Sequence, residues 1–318
     1  MALLNPPDNT PSITRLVVET VGSRGGQISL DDVMAYCSPG AIGGDASRTV
    51  EVSANAAVTL SLLVRDHDQL RLSSHASGSA GVDGRLRTSW ESLLRSMVRE
   101  HHTLPRSVTA NFDEDADGER TSGVRDLAYG LTWVLAQDAL GEPLAFGAKK
   151  GCRSVQDLQA AQFGLGRDTW PVTNDTRWPP LIRWGSAMGL FSAAPAGAGE
   201  GETIPEPTTA VRDVVLALAG LERHSFTFAE FRQIVGEHLP YVDGGSLRAD
   251  LAEALGSDPD PDVQAGGVDS SLGLALLSLQ VERLILIEDR ADAQHRSVID
   301  PKGRRIGVSH IIVLENRE

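Results

Sequence analysis

The chain has 318 residues, of which 41% are hydrophobic, so it can form two or three domains with buried cores, which excludes a globally disordered protein. The formal net charge of −14 argues against non-specific coating of nucleic acid, because phosphate neutralisation needs an excess of Lys and Arg. Cys37 and Cys152 lack any partner spacing, and the chain has neither a secretion signal at its start nor a bilayer-length apolar run, so we expect reduced thiols, no membrane contact and a cytoplasmic location.

The first 75 residues predict three helices and then a strand. Pro11 is typical of the first turn of a helix, and Ser29 is typical of the residue that caps the next one. A third helix is predicted over about 47–63, and a polar turn then leads to alternating residues at 70–72. We interpret residues 1–75 as a winged helix-turn-helix module, in preference to a generic helical bundle with an isolated strand.

A small and polar stretch, 74–85, then predicts a loop before a helical middle domain over 86–191. Apolar residues at helical spacing predict helices over 86–102, 123–140 and 178–191. The domain is too large to be a simple connector, and a degenerate helix-turn-helix is one interpretation of it.

An acidic stretch at 111–122 resembles the opening of a calcium-binding loop. Asp113, Asp115 and Asp117 have the required spacing, but the twelfth position is Val124, where such a loop needs a bidentate Glu. We therefore expect a solvated acidic loop and no metal.

Residues 192–210 are rich in Ala, Gly, Pro and Glu and predict a linker. The region after it, 211–318, repeats the order of the first module. It starts with a helix at 211–221, and Thr227 followed by Glu230 then predicts a capping box.

The end of this second module predicts a wing. A short helix near 246–255 precedes a third helix over about 269–282, and a strand at 284–289 is followed by a mobile stretch at about 290–305 and a return strand at 306–314. The segments LSLLVRD at 60–66 and LSLQVER at 277–283 are expected to occupy the same place in the two modules. The predicted fold class is therefore mainly α with small β wings (α+β), with tandem winged helix-turn-helix modules flanking a helical middle.

No catalytic motif is recognisable. The chain has no phosphate-binding loop, no dinucleotide fingerprint and no nucleophile elbow, and the adjacent His101 and His102 point to different sides of a helix. We predict that the protein is not an enzyme and has neither cofactor nor metal. The alternative is a metal-dependent nuclease whose ligands are scattered along the sequence.

Candidate DNA contacts lie in three places. In a winged helix the third helix presents Arg, Asn and Thr to base edges, whereas Lys and Arg elsewhere contact phosphates. The candidates are Arg48, Asn55 and Thr59 on the first third helix, Lys149, Lys150 and Arg153 in a glycine-flanked loop, and Arg304 and Arg305 near the second wing. The third helix of the second module has no Lys or Arg, which favours contact with protein over contact with duplex DNA.

Three segments carry a resemblance to a known family. MALLNPP at 1–7, RWPPLIRWGSAMGLF at 177–191 and VSHIIVLE at 308–315 resemble DpdG-type accessory proteins of bacterial defence islands that install and police 7-deazapurine-modified DNA. The resemblance implies an anti-phage or restriction role beside helicase and nuclease subunits, with no catalytic residues. The expected function is a scaffold or adaptor that binds these partner proteins, with duplex DNA as a further candidate ligand. The alternative is a sequence-specific transcription regulator.

Overall fold

A computed structural model describes residues 3–4, 10–38, 46–79, 89–101, 124–166, 170–193, 201–291 and 296–314. The fold is α+β, with helices and several small sheets. The chain divides into two compact units. The first comprises Met1–Pro105, Glu114–Ala128 and Asn174–Met188, and the second comprises Arg106–Asp113, Tyr129–Thr173 and Gly189–Glu318. The acidic stretch at 111–122 lies outside the described residues.

The first unit begins with a helical module on a three-stranded sheet. Its elements are α1 (Pro11–Ser23), β1 (Gln27–Ser29), α2 (Leu30–Cys37), α3 (Ala46–Thr59), β2 (Leu63–Asp66) and β3 (Gln69–Leu72). The sheet is antiparallel with the order β1–β3–β2, so the first strand pairs with the last. Helices α4 (Ser74–Ser79), α5 (Trp90–His101), α6 (Val124–Leu135, of which Val124–Ala128 belongs to this unit) and α8 (Trp178–Ala187) complete it.

Local signals in the sequence fix the helix starts of this module. Pro11 occupies the first turn of α1, where its missing N–H would have no helical partner, and the Ser29 side chain accepts a hydrogen bond of 3.1 Å from the Asp32 N–H. Both predicted starts are confirmed. The apolar face of the helices then packs inward, with Val17, Val33 and Ala54 almost completely buried.

The second unit starts with a sheet of short strands. Its elements are the rest of α6, β4 (Leu144–Ala145), β5 (Arg153–Ser154), α7 (Val155–Phe163), β6 (Phe191–Ala193) and β7 (Thr203–Pro205). The strand order is β5–β4–β7–β6, with β4 and β5 parallel. The middle of the chain is therefore less helical than the sequence pattern predicts, because strands of two or three residues are too short to show an alternating pattern.

The segment predicted as a linker, 192–210, differs from that expectation within its described part. Ser192 pairs with Ile204 and Phe191 with Pro205, so β6 and β7 form an antiparallel pair, and α9 already begins at Thr208. Small residues and prolines made the segment look like a flexible connector, but backbone pairing with a distant strand is not visible in composition.

The rest of the second unit repeats the order of the first module with two insertions. Its elements are α9 (Thr208–Ala219), β8 (Ser225–Thr227), α10 (Phe228–His238), α11 (Ser246–Ala254), α12 (Pro261–Gln264), α13 (Ser270–Val281), β9 (Ile285–Glu288), β10 (Arg296–Ile299), β11 (Arg305–Val308) and β12 (His310–Val313). The sheet order β8–β12–β9 matches β1–β3–β2. Thr227 caps α10 with the predicted capping box, as Ser29 caps α2.

The two modules also close their third helices in the same way. Ser61 and Arg283 both have a positive φ, and the next residue in each case bonds back to the carbonyl five residues earlier, from Leu62 to Ala57 and from Leu284 to Leu279. This equivalence shows that 60–66 and 277–283 do not occupy the same place, because the first covers the turn and β2 whereas the second ends α13. The repeat lies in the topology rather than in that pair of segments.

The stretch predicted as mobile, 290–305, contains an ordered strand in its described part. β10 pairs with β11 in a hairpin, with Val298 opposite Ile306. The predicted return strand is divided at Ser309, since β11 pairs with β10 whereas β12 pairs with β9 and β8. Because the hairpin is rich in charged and polar residues, the sequence pattern did not predict the strand β10.

Candidate functional site

The N-terminal end of α13 is buried and capped by carboxylates. Asp269 accepts hydrogen bonds from the N–H and the hydroxyl of Ser271 at 2.9 and 2.6 Å, and Asp260 accepts the equivalent pair from Ser270 at 3.0 and 2.6 Å. All four residues are buried. A negative charge at a helix N-terminus is stabilised by the helix dipole and by the otherwise unpaired N–H groups.

The same two serines connect α13 to the end of α6. The Ala139 N–H donates to Ser270 Oγ at 2.8 Å, and Ser271 Oγ lies 3.0 Å from the carbonyl oxygen of Leu135. The start of α13 therefore contacts a segment more than 130 residues earlier in the second unit, and its polar side chains are used within the chain.

Arg248 supplies the positive charge of this buried network. Its side chain is only 3% exposed, and its Nη2 lies 2.6 Å from Asp258 Oδ1 and 3.1 Å from Asp269 Oδ2. Burial raises the pKa of Asp269 to about 7, with Asp243 and Asp260 adding to the shift and Arg248 opposing it. Because Arg248 and Asp269 are enclosed, neither can contact a substrate or partner in this conformation.

The β10–β11 hairpin packs against the same half of α13. The Val268 N–H donates to the Ser297 carbonyl at 2.9 Å, and a Cβ added at Gly273 would come within 2.7 Å of Val298 Cγ1. Only glycine fits this contact without a shift of one element. The N-terminal residues of α13, the end that a DNA-reading helix directs at base edges, are therefore enclosed.

Beyond its capped start, α13 carries an apolar row that is half-buried at first and exposed at the end of the helix. Leu274, Leu277 and Val281 share one helix face at i, i+3 and i+7, with the two leucines half-buried and Val281 83% exposed. We call this row the α13 stripe. It has no cation, and beside it Arg212 Nη2 pairs with Glu282 Oε1 at 2.5 Å, joining α9 to the end of α13.

The third helix of the first unit has a different surface. Arg48 is exposed, and the half-buried Asn55 accepts a hydrogen bond of 3.1 Å from Arg65 Nη1 on β2. Thr59 donates its hydroxyl proton to the Asn55 carbonyl at 2.9 Å, so it can offer a ligand only an acceptor. Arg65 also donates to the His67 carbonyl at 3.0 Å, which fixes its position between α3 and the turn after β2.

Sequence reasoning did not select Arg65. Arg65 orients the Asn55 amide so that the side-chain oxygen faces the guanidinium group and the amide N–H groups remain as donors. A cation in the strand directly after the third helix was the available signal, since the turn brings that strand back beside the helix.

The loop cations are mostly engaged within the protein. Lys149 forms an ion pair with the buried Glu202, and Arg153 donates to the carbonyls of Asp138 and, at 2.9 Å, of Glu142. Lys150 is exposed. The structure thus places the three cations at and just before β5, where the Glu202 carboxylate holds Lys149 and backbone carbonyls hold Arg153.

Arg304 and Arg305, the other predicted pair, lie at the tip of the β10–β11 hairpin. Arg304 Nε donates to Asp300 Oδ2 at 2.7 Å, yet its side chain remains 72% exposed. Arg305 is exposed and its Nη1 donates to Ser297 Oγ at 3.1 Å.

The described residues contain no group of three or more His, Cys, Asp and Glu side chains arranged to hold a metal ion. In the same parts of the chain, every helix is too short or too polar to cross a lipid bilayer. By its order of helices and strands, the folded chain is an α+β protein with two similar helical modules on small sheets.

The chain belongs to the DpdG-like family, whose model matches residues 1–293. Membership in this family indicates a role in a DNA-modification system. No curated protein and no solved structure matches the chain.

Proposed function

We propose that this protein is a non-enzymatic adaptor of a bacterial DNA-modification and restriction system, built on two winged-helix modules. Each module has the order helix, strand, helix, helix, strand, strand, to which the second module adds α11–α12 and β10–β11. In each module the first strand pairs with the last, as a winged helix requires. The family supplies the DNA-modification context.

One observation carries the adaptor role, which is the state of α13. Its first half is enclosed by Arg248, Asp260 and the β10–β11 hairpin, so the part of the helix that would read bases is unavailable. The rest of the helix carries the α13 stripe, which is half-buried at its two leucines, exposed at Val281 and without any cation to attract a phosphate backbone. An exposed apolar row on a helix favours contact with another protein.

The test is assembly with the helicase and nuclease subunits of a DpdG-type defence island, which are co-expressed with this chain and separated by size. Val281→Asp places a charge in the α13 stripe and should abolish co-elution while leaving the melting temperature unchanged. Leu165→Asp is the matched control, because Leu165 is 88% exposed and lies on a loop of the same unit. Equal co-elution of both variants would count against the adaptor surface.

The absence of catalysis is a separate part of this proposal. Purified protein incubated with Mg²⁺ or Mn²⁺ should leave DNA and nucleoside triphosphates unchanged. Turnover that disappears on substitution of a single carboxylate or histidine would instead identify a nuclease or hydrolase.

A second candidate function is duplex contact by α3 of the first unit. Arg48 is exposed on it, and Arg65 pre-orients Asn55 with its amide donors outward, which suits the acceptors on base edges. Asn55→Ala should narrow the difference in affinity between preferred and scrambled duplexes by about tenfold, or about 1.4 kcal/mol, which lies within the range of about 1–3 kcal/mol for one base contact. Asn55→Asp is the companion variant, since it keeps the acceptor for Arg65 but removes the amide donors. It should lose the same discrimination as alanine, and its added negative charge should lower the affinity for both duplexes.

A further inference from the structure

The β10–β11 hairpin is positively charged in a strongly acidic chain. Between residues 296 and 305 it carries four cations and one carboxylate, whereas the whole chain has a net charge of −14. We call residues 296–308 the basic hairpin. All of residues 301–305 at its tip are exposed, so the charge is accessible to a ligand.

The single carboxylate of the basic hairpin is directed into the turn. Asp300 accepts hydrogen bonds from the N–H groups of Lys302 and Arg304 at 2.9 and 2.8 Å and from Arg304 Nε at 2.7 Å. Gly303 adopts a φ of +78°, which closes the turn. Asp300 is itself buried, and its carboxylate holds the tip in shape by pairing with Arg304.

The base of the basic hairpin is held rigidly against the rest of the unit. Val298 and Val308 are buried, and Val298 contacts Gly273 of α13. At the open end, Arg296 Nη1 donates to the Gly266 carbonyl at 3.2 Å. A cationic tip on an anchored strand pair loses little conformational entropy when it binds a ligand.

We infer that the basic hairpin binds the phosphate backbone of duplex DNA without reading its sequence. Lys302 offers a point charge and the guanidinium groups of Arg304 and Arg305 offer planar donors, which are the groups that phosphates accept from. Base readout does not accompany this contact, because α13, the helix that would enter the groove, has a buried N-terminus. Asp262 lies close enough to Arg305 to feel its charge, and it limits the positive surface on that side.

The experiment measures binding of the full chain to a fluorescent 20-base-pair duplex over 50–300 mM salt. Lys302→Gln with Arg305→Gln removes two cations and keeps every hydrogen bond to Asp300. The slope of log affinity against log salt should fall in magnitude by about 2, and affinity at 50 mM salt by about a hundredfold, since each phosphate contact contributes about 0.9 to the slope.

Two further variants isolate the effect of position. Arg212→Gln with Arg223→Gln changes the net charge of the same unit equally but away from the hairpin, and should bind with an unchanged slope. Lys302→Arg with Arg305→Lys retains both charges and should bind within a few-fold of the parent protein. Equal losses in the hairpin and control variants, or no salt-dependent binding by the parent chain, would overturn the inference.

The class of polyanion is tested by competition. Unlabelled duplex should displace the probe at a much lower charge concentration than poly-glutamate does, and equal displacement would instead assign the hairpin to an acidic protein segment. These measurements use the protein alone, so their failure is distinguishable from a failure of the adaptor surface, which needs partner proteins.

Discussion

Replacement of Arg248 by Met is the sharpest test of the buried network at the start of α13. Met fills a similar volume but leaves Asp269 and Asp258 without the cation that contacts both of them. Asp269 is completely enclosed, whereas Asp258 retains some contact with solvent. Removing one partner from a buried ion pair costs about 3–5 kcal/mol, because the remaining charge is uncompensated. We expect a loss of this size at pH 8.

The loss should depend on pH with a definite sign. Without Arg248, the folded-state pKa of Asp269 moves further above its unfolded value. A carboxyl group of this kind gives its full stability below the unfolded pKa and loses it as pH rises through the folded pKa. Each unit of pH in that window costs up to about 1.4 kcal/mol. The Arg248→Met variant should therefore approach the stability of the parent protein as pH is lowered from 8 to 6.

The assay is urea denaturation followed by far-UV circular dichroism, with Arg212→Met as the matched control. Arg212 also contacts one carboxylate through two nitrogens, but both it and Glu282 are partly exposed, so its loss should cost about 1 kcal/mol or less. If the two variants lose equal stability, or if the loss in Arg248→Met does not change between pH 8 and 6, the buried network does not hold α13 in place.

Three further predictions follow from the second unit. Gly273→Ala should lower the free energy of unfolding by about 1–3 kcal/mol, because the new methyl group collides with Val298; a normal urea midpoint would contradict that contact. Thr227→Ala should cost about 1 kcal/mol by removing the cap of α10, whereas Thr227→Ser should retain it, as measured by the same midpoint. Hydrogen bonds from Arg223 and then Thr227 hold the pKa of Glu230 at about 2. The contribution of Glu230 to the free energy of unfolding is therefore present above about pH 4.5 and is lost as pH falls towards 2. Glu230→Gln should flatten this part of the acid-unfolding curve, and an unchanged curve would argue against the capping box.

The charged sites show where sequence reasoning stopped. The sequence grouped Lys149 with Arg153 as a possible phosphate contact, and it selected Arg304 in a stretch expected to be mobile. In the folded chain Lys149 pairs with Glu202 and Arg153 binds carbonyl groups, whereas Arg304 is anchored to Asp300 and still exposed. Exposure and pairing depend on residues distant in sequence, so a list of cations could not separate the two cases.

The sequence by itself determined the features that depend on neighbouring residues. The start of α1 at Pro11, the caps at Ser29 and Thr227 and the order of helices in both modules follow from interactions within four residues, which a linear pattern records. The resemblance to the DpdG-like family was also carried by short segments of sequence.

Only the tertiary structure decided what α13 presents to its surroundings. Arg248 meets Asp269 across 21 residues of sequence, and Ser271 contacts Leu135 across 136. Neither contact leaves a periodic signal, because a buried charge is stable only once its distant partners have been brought around it. That enclosure closes the start of the helix and leaves its apolar end exposed.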